Sequence, residues 1–490
     1  MAESTTSVPS RRGTPHASLA VLGVKLCQLD LLAPIRKGVQ IAQKQVKYSP
    51  FEKLYDCFIG ILAGAQGVAE INERLRADPA LQAAFGRTAC AEQSVIQDTL
   101  NAATPANVAQ MEQAIDQIYR QHSHAAHHDF AQRCLLLDAD MSGMPCGKKA
   151  ALATKGYFEG QKNRRGRQLA RVLAGDYHEI VVDQVYPGNV QLVTALPTVV
   201  AAAETRLALT AEQKARTILR VDAGGGSLDD INWALARGYQ VHAKDCSSQR
   251  AQKLGESVTV WYEDPKVPGR QAGRVEAAAP EYVRPVRRVA VRCRMAKGQW
   301  KVAVLISTVA PETVRERTGV GEAPLGEAEA SVLGDVYLYD QRGGGVETSL
   351  KGDKQGLGLT KRNKKRFEAQ QVVVALSALA HNVLIWGRDW MAPAVPLIER
   401  YGIERLVRDV FGISGAVERD SGGQVYRIVL NEASGLAQRC LAGFQRLLGA
   451  GAAAAPQCCL PMKQEGGEAN VKPNSYVCMS PHVVAILGQT

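Results

Sequence analysis

The chain has 490 residues, 46% hydrophobic and 22% charged, a balance that excludes wholesale disorder; at about 100–200 residues per domain it also exceeds one ordinary domain. Lysine and arginine total 59 against 48 acids, a formal charge of +11, which favours a polyanionic partner. The eleven cysteines are scattered with no Cys-x-x-Cys pair, so a zinc ribbon or disulfide framework is not indicated and a reducing compartment is expected.

Residues 1–18 are polar and carry Pro9, Arg11, Arg12, Gly13 and Pro15; they read as a flexible leader, not a secretory signal. From 19 to 128 apolar residues recur at helical spacing, as in Leu54, Cys57, Phe58 and Leu62 or Val108, Met111, Ile115 and Ile118, predicting an all-α domain. Within it, Ala91–Ser94 followed by Val95, Ile96 and Leu100 fits a DNA-reading helix-turn-helix or a plain helical bundle. The texture changes at 129. Cys134–Leu137 is a short apolar strand running into Asp138 and Asp140, strand-like segments follow at 156–158 and 179–185, and a helix is predicted over 190–207. Ile218–Val221 is a second apolar strand ending in acid, Asp222; after Gly224–Gly226 come a helix at 228–236 capped by Ser227 and a strand at 239–244. Strands alternating with helices over 129–245 predict a mixed α/β sheet.

Residues 246–330 break that rhythm: 258–261, 283–294 and 300–306 alternate with period 2 between glycines and prolines, predicting an all-β insertion. The α/β texture resumes over 331–400, with a glycine turn at 343–345, a helix through Lys354 and a long apolar helix at 369–386. Its most apolar part, 372–386, is broken by Ser377, His381 and Asn382 and is short of the roughly 18–20 residues a bilayer needs, so no membrane association is expected. Helices fill 401–450, and the Gly/Ala- and Pro/Lys-containing 451–490 reads as a flexible tail.

Acids at the ends of buried strands must be paired, protonated or metal-bound. Taken singly, strand-end aspartates are commonly caps or turn formers. Asp138 or Asp140 beside Asp222 would instead make an oxygen site selecting a hard cation such as Mg²⁺. Two such ions about 3.5–4 Å apart activate a water or 3′-hydroxyl and stabilise the leaving oxygen. A third acid is expected on a helix packed against the sheet, and Glu347 is the candidate.

The runs 137–149 (LDADMSGMPCGKK), 219–226 (LRVDAGGG) and 339–354 (YDQRGGGVETSLKGDK) closely resemble bacterial insertion-sequence transposases of the DDE class, in the hairpin-forming cut-and-paste subgroup with a ribonuclease H-like core and a β-strand insertion before the last acid. The resemblance runs from about Ser18 to Trp390 and includes 78–82, 91–94 and 380–384. Asp140, with Ser142 two residues on, matches the first acid; Asp138 shares its strand face and stays open as the alternative. Asp222 and Glu347 match the second and third acids. Tyr339, Arg342, Glu347 and Lys354 match the signature Tyr-x2-Arg-x3-Glu-x6-Lys, except that four residues separate Arg342 from Glu347, which leaves the place of Arg342 open.

The resemblance implies an α/β fold: a ribonuclease H-like mixed sheet flanked by helices and interrupted by the all-β insertion, with an N-terminal all-α domain (19–128) and C-terminal helices (401–450). It implies two Mg²⁺ ions on Asp140, Asp222 and Glu347, replaceable by Mn²⁺. It also implies double-stranded DNA partners (terminal inverted repeats and target DNA), a homodimer on DNA and residence at the bacterial nucleoid in the cytoplasm. Phosphate contacts are expected from Tyr339, Arg342, Lys351 and Lys354, with Lys148, Lys149, Arg164 and Arg165 after the first acid and Lys361, Arg362, Lys364 and Lys365 after the last motif; such clusters make binding steeply salt-dependent. The alternatives are a catalytically silent DNA-binding descendant and a metal-dependent nuclease. Gly143–Lys149 is one residue short of a phosphate-binding loop and has Lys149 where the hydroxyl should be. His122, His124, His127 and His128 with Asp129 read as a polar helix end before a zinc site, and Trp261 and Trp300 as core or cross-strand aromatics before a base-stacking pair.

Overall fold

Runs of consecutive buried residues, with a few paired charges among them, build the core strands of this chain, which the computed structural model describes over residues 10–44, 47–158, 160–295, 298–322, 325–449 and 483–488. In chain order the strands are β1 (Ser10–Thr14), β2 (Leu135–Pro145), β3 (Thr154–Phe158), β4 (Gln161–Ala174) and β5 (Glu179–Pro187). Then come β6 (Thr217–Val221), β7 (Gln240–Lys244), β8 (Tyr262–Glu263), β9 (Arg270–Arg274), β10 (Arg287–Arg294) and β11 (Trp300–Ser307). The last are β12 (Gly415–Arg419), β13 (Val425–Asn431) and β14 (Val484–Gly488).

The chain clusters into two units, one of Met1–Ile118, Gly352–Arg362 and Leu379–Thr490, the other of Tyr119–Lys351 and Asn363–Ala378. In the first unit the predicted helices are present, among them Ala17–Gln28 and Pro50–Leu62, the latter opened by a capping box between Ser49 and Glu52. A four-stranded sheet β1-β12-β13-β14 accompanies them. Three expectations change here. Ser10–Thr14 is no loose leader, because it pairs antiparallel with Gly415–Arg419. The 401–450 segment is not all helix, since β12 and β13 lie between its helices. Val484–Gly488 of the expected tail adds parallel to β13; residues 450–482 lie outside the described ones. Each strand finds its partner far along the chain or after a turn, so local periodicity could not reveal the sheet.

The second unit is built on one ten-stranded sheet, ordered β3-β4-β2-β6-β7-β11-β10-β9-β8, with β5 also on β4. Within it β4 is antiparallel to β2, and β6 and β7 are parallel to β2. The order β5-β4-β2-β6-β7 is the ribonuclease H-like arrangement implied by the sequence. The insertion is not a separate β unit. Its strand β11 pairs antiparallel with β7, so β8–β11 extend the same sheet, and the segment also contains helices Ser248–Glu256 and Pro311–Thr318. Helix Glu327–Arg342 covers both parts: Leu333, Val336 and Tyr337 pack on Ala272, Val289 and Leu305 of the insertion, and Leu338 on Leu136 and Ile218 of the core strands. At about 1.5–3 kcal/mol per buried large apolar side chain, this helix is a strong anchor. Strand β4 carries no strand signature in sequence, because its first half, with Lys162, Arg164, Arg165 and Arg167, reads as a charged surface run.

Helix Phe367–Met391 is long and apolar enough by composition to cross a membrane, yet nearly all of it is buried inside the protein.

Candidate active site

Register brings the first two acids together. In the parallel pair β2/β6, Asp138 lies opposite Arg220 and Ala139 opposite Val221, so Asp140 and Asp222 follow at the next position. Asp222 ends its strand and caps the turn Ala223–Gly225, its Oδ1 accepting from the Gly224 amide at 2.8 Å. Gly226 closes that turn against β7; a Cβ there would stand 1.8 Å from the Lys244 carbonyl oxygen, an approach only glycine permits.

Asp138, the alternative first acid, is engaged inside the sheet. Its carboxylate is fully buried and accepts from Arg220 Nε at 2.6 Å and Nη2 at 2.8 Å, while Arg220 Nη1 donates to the Leu338 carbonyl at 2.6 Å. This satisfied bidentate pair ties β2, β6 and helix Glu327–Arg342 together. Asp140, two residues on, is the acid that reaches the open end.

The third acid arrives through an irregular helix. After Arg342, the π-type turn Gly343–Glu347 interrupts the helix, with Gly345 leaving helical geometry at φ −90°, ψ −105°. A π-type turn accommodates one additional residue, so the extra glycine in the signature is absorbed and Glu347 returns to the side of Arg342. Arg342 Nη1 donates to Glu347 Oε1 at 2.9 Å, and its Nη2 lies 3.0 Å from Asp140 Oδ2 and 3.1 Å from the Ala139 carbonyl. The next turn is pinned by Arg171 of β4, which donates to Ser349 Oγ at 2.8 Å and is held bidentately by Asp183 at 2.8 and 2.7 Å.

The three acids share one electrostatic field. Burial pushes the Asp140 carboxyl up to about 6; Arg342 opposes the shift, whereas Asp222 and Glu347 add to it. Burial likewise takes the Tyr339 hydroxyl to about 12, again against Arg342 and with Asp222, Glu347 and Asp140. The guanidinium of Arg342, only 2% exposed, is therefore the cation that satisfies this cluster. Oxygen-only donors suit a hard divalent ion. Among the described residues, however, no three such side chains are closed into a metal cage. Arg342 stands between two of the acids, on Asp140 Oδ2 and Glu347 Oε1.

The expected phosphate contacts divide. Lys148, Lys149, Arg165, Lys351, Lys361 and Lys365 are exposed, and Tyr339, Arg164 and Lys354 half-buried. Two are corrected. Arg362 is buried and donates to the Ala65 carbonyl at 2.6 Å, and burial lowers its pKa to about 10. Lys364 is buried too. Basic residues inside a basic run look alike in sequence, and only packing sorts them. His128 is engaged by Tyr177 Oη at 2.7 Å and the Arg133 carbonyl at 3.0 Å, a helix-end arrangement. Trp261 and Trp300 sandwich the Arg292 guanidinium at 4.0 and 4.6 Å. Arg220, inside the run 219–226, and Arg171 shape the site, but an arginine in an apolar strand carries no sequence signal of that role.

The family model for transposase DDE domain group 1 matches residues 29–433. No curated protein matches the chain. Among solved structures, a piggyBac transposase synaptic complex with hairpin DNA, determined by cryo-electron microscopy, is similar at 12% identity, with 83% of this chain and 81% of that chain covered and a TM-score of 0.42. With a family model spanning most of its length, the chain belongs to the DDE transposases.

Proposed function

We propose that the chain is a cut-and-paste transposase that binds the terminal inverted repeats of an insertion sequence, cleaves at the element ends and joins the freed 3′ ends to target DNA, working as a homodimer in the bacterial cytoplasm. The observation that carries this is the convergence of Asp140, Asp222 and Glu347 on Arg342 from three distant chain segments. Two Mg²⁺ ions, when bound to these carboxylates, would supply an activated water or 3′-hydroxyl and stabilisation of the leaving oxygen. The chain's own contribution is positional. Arg220 fixes β2 against β6 so that Asp140 and Asp222 emerge side by side. Arg342, once released from the acids, would meet a phosphate oxygen, and Lys351, exposed one turn beyond Glu347, would steady the strand. Tyr339, held neutral, offers a hydroxyl donor at the same rim.

The test is excision from a supercoiled plasmid carrying matched inverted repeats in Mg²⁺. Excision by wild type and none by Asp222→Asn or Glu347→Gln supports the reading; equal cleavage by those variants ends it. The position of Arg342 between two acids also suits a silenced, DNA-holding descendant, which would bind the repeats and excise nothing. A metal-dependent nuclease would cut plasmids lacking the repeats.

A further inference from the structure

Arg167 is the most deeply buried cation of the 148–167 run, with no side-chain exposure, so it cannot touch DNA. Its hydrogen-bond acceptors are neutral. Nε donates to the Ala151 carbonyl at 2.8 Å, Nη1 to the Lys364 carbonyl at 2.9 Å and Gln370 Oε1 at 3.2 Å, and Nη2 to the Lys365 carbonyl at 3.2 Å. Gln370 Oε1 in turn accepts from the Lys364 amide at 2.8 Å, and the Phe367 ring lies 5.5 Å from the guanidinium. Backbone bonds complete the junction: the Ala151 amide donates to the Lys365 carbonyl at 2.8 Å, and Asn363 Nδ2 to the Pro145 carbonyl at 2.9 Å.

Two basic segments some 200 residues apart are thereby held side by side. The first offers Lys148, Lys149 and Arg165, the second Lys365 and Arg366, all exposed. Among the described residues the buried cation beneath them forms no hydrogen bond to a carboxylate, Glu368 acting on it only through space, so its charge adds to the positive field of the surface. Pro145, at the end of β2, lies five residues beyond Asp140, roughly 17 Å along the strand at about 3.3–3.4 Å per residue. A DNA backbone entering the site from this side meets both segments.

We infer that Arg167 is a positioning residue that clamps residues 363–366 onto the 145–151 loop, uniting two basic segments into one binding surface for the backbone of duplex DNA. This rests on the DNA-binding reading proposed above. Each phosphate neutralised contributes about 0.9 to the slope of log K against log salt. A carbonyl clamp needs the planar fork of arginine, which a lysine ammonium does not reproduce.

The experiment is fluorescence anisotropy of the full chain with a labelled duplex of about 30 base pairs in EDTA, over a range of KCl. The double variant Lys365→Gln/Arg366→Gln is expected to lower the salt slope by about 1.8, two contacts at about 0.9 each. Arg167→Met is expected to lower it by a similar amount, and the triple variant no further. Arg167→Lys is expected to recover less than half of the loss. A merely structural role would lower the melting temperature and leave the slope of the folded fraction at the wild-type value, and that result overturns the inference. An unchanged slope in the double variant overturns it as well, by taking residues 365 and 366 off the DNA. Should Arg167→Met fail to fold, Asn363→Ala loosens the same junction from an exposed position and must reduce the slope. Absence of salt-dependent binding by wild type removes the functional reading itself, a result distinct from either of these.

Discussion

Arg342 and Asp140 meet at 3.0 Å, with the same guanidinium 2.9 Å from Glu347. The arginine balances the charge of these carboxylates, and a divalent ion bound by the same carboxylates would compete with it. Arg342→Gln is expected to raise Mn²⁺ affinity at pH 8 by about tenfold, equivalent to about 1.4 kcal/mol, as read by electron paramagnetic resonance titration, while lowering excision. Unchanged affinity would mean that the arginine does not occupy the ion's place.

The protonation of Asp140 follows from its burial. Its carboxyl titrates at about 6 in the folded chain, against about 3.9 when unfolded. Between those pH values the native state holds a proton that the unfolded chain has released, so stability falls as pH rises from about 4 to 6 and stays lower above it. The full effect is at most about 3 kcal/mol. Asp140→Asn should remove this slope and raise the urea midpoint at pH 8 in EDTA. A variant with the wild-type pH profile would show that Asp140 is not the group responsible.

Asp138 and Asp140 are two residues apart with opposite expected roles. Breaking the buried Asp138–Arg220 pair from one side costs about 3–5 kcal/mol, so Asp138→Ala should give little soluble protein, and Asp138→Leu with Arg220→Met should recover much of it. Asp140→Ala should fold and fail only in catalysis. Soluble yield and unfolding midpoints decide between the two; a stable, inactive Asp138→Ala would make it a ligand after all.

Gly344 is exposed, and a Cβ there would meet nothing within 4 Å. Deleting it leaves Arg342 and Glu347 four residues apart, which a regular helix also places on one face. Plasmid excision by the deletion variant is expected to stay within about threefold of wild type, roughly 0.6 kcal/mol. An alanine inserted after Gly344 has no such solution and should abolish excision. An inactive deletion would show that the π-type turn is itself required.

Asp138 and Asp222 stand out as candidates in the sequence because each apolar strand run, 134–137 and 218–221, stops abruptly at a carboxylate, and the helix cap at Ser227 and the long helix near 369–386 follow the same local logic. Periodicity and capping act within a few residues, so sequence by itself determined the type of the locally patterned elements and, through its motifs, the family. It did not decide which of Asp138 and Asp140 faces the site, since both occupy one strand face and only the arrival of Arg220 from β6 separates them. Nor did it place β1, β12, β13 and β14 in one sheet, absorb the extra glycine beside Arg342, or tell buried Arg167, Arg362 and Lys364 from their exposed neighbours. Those outcomes depend on which distant backbone and side-chain groups become partners, and a charge is affordable in the interior only once such partners have been brought to it by the fold.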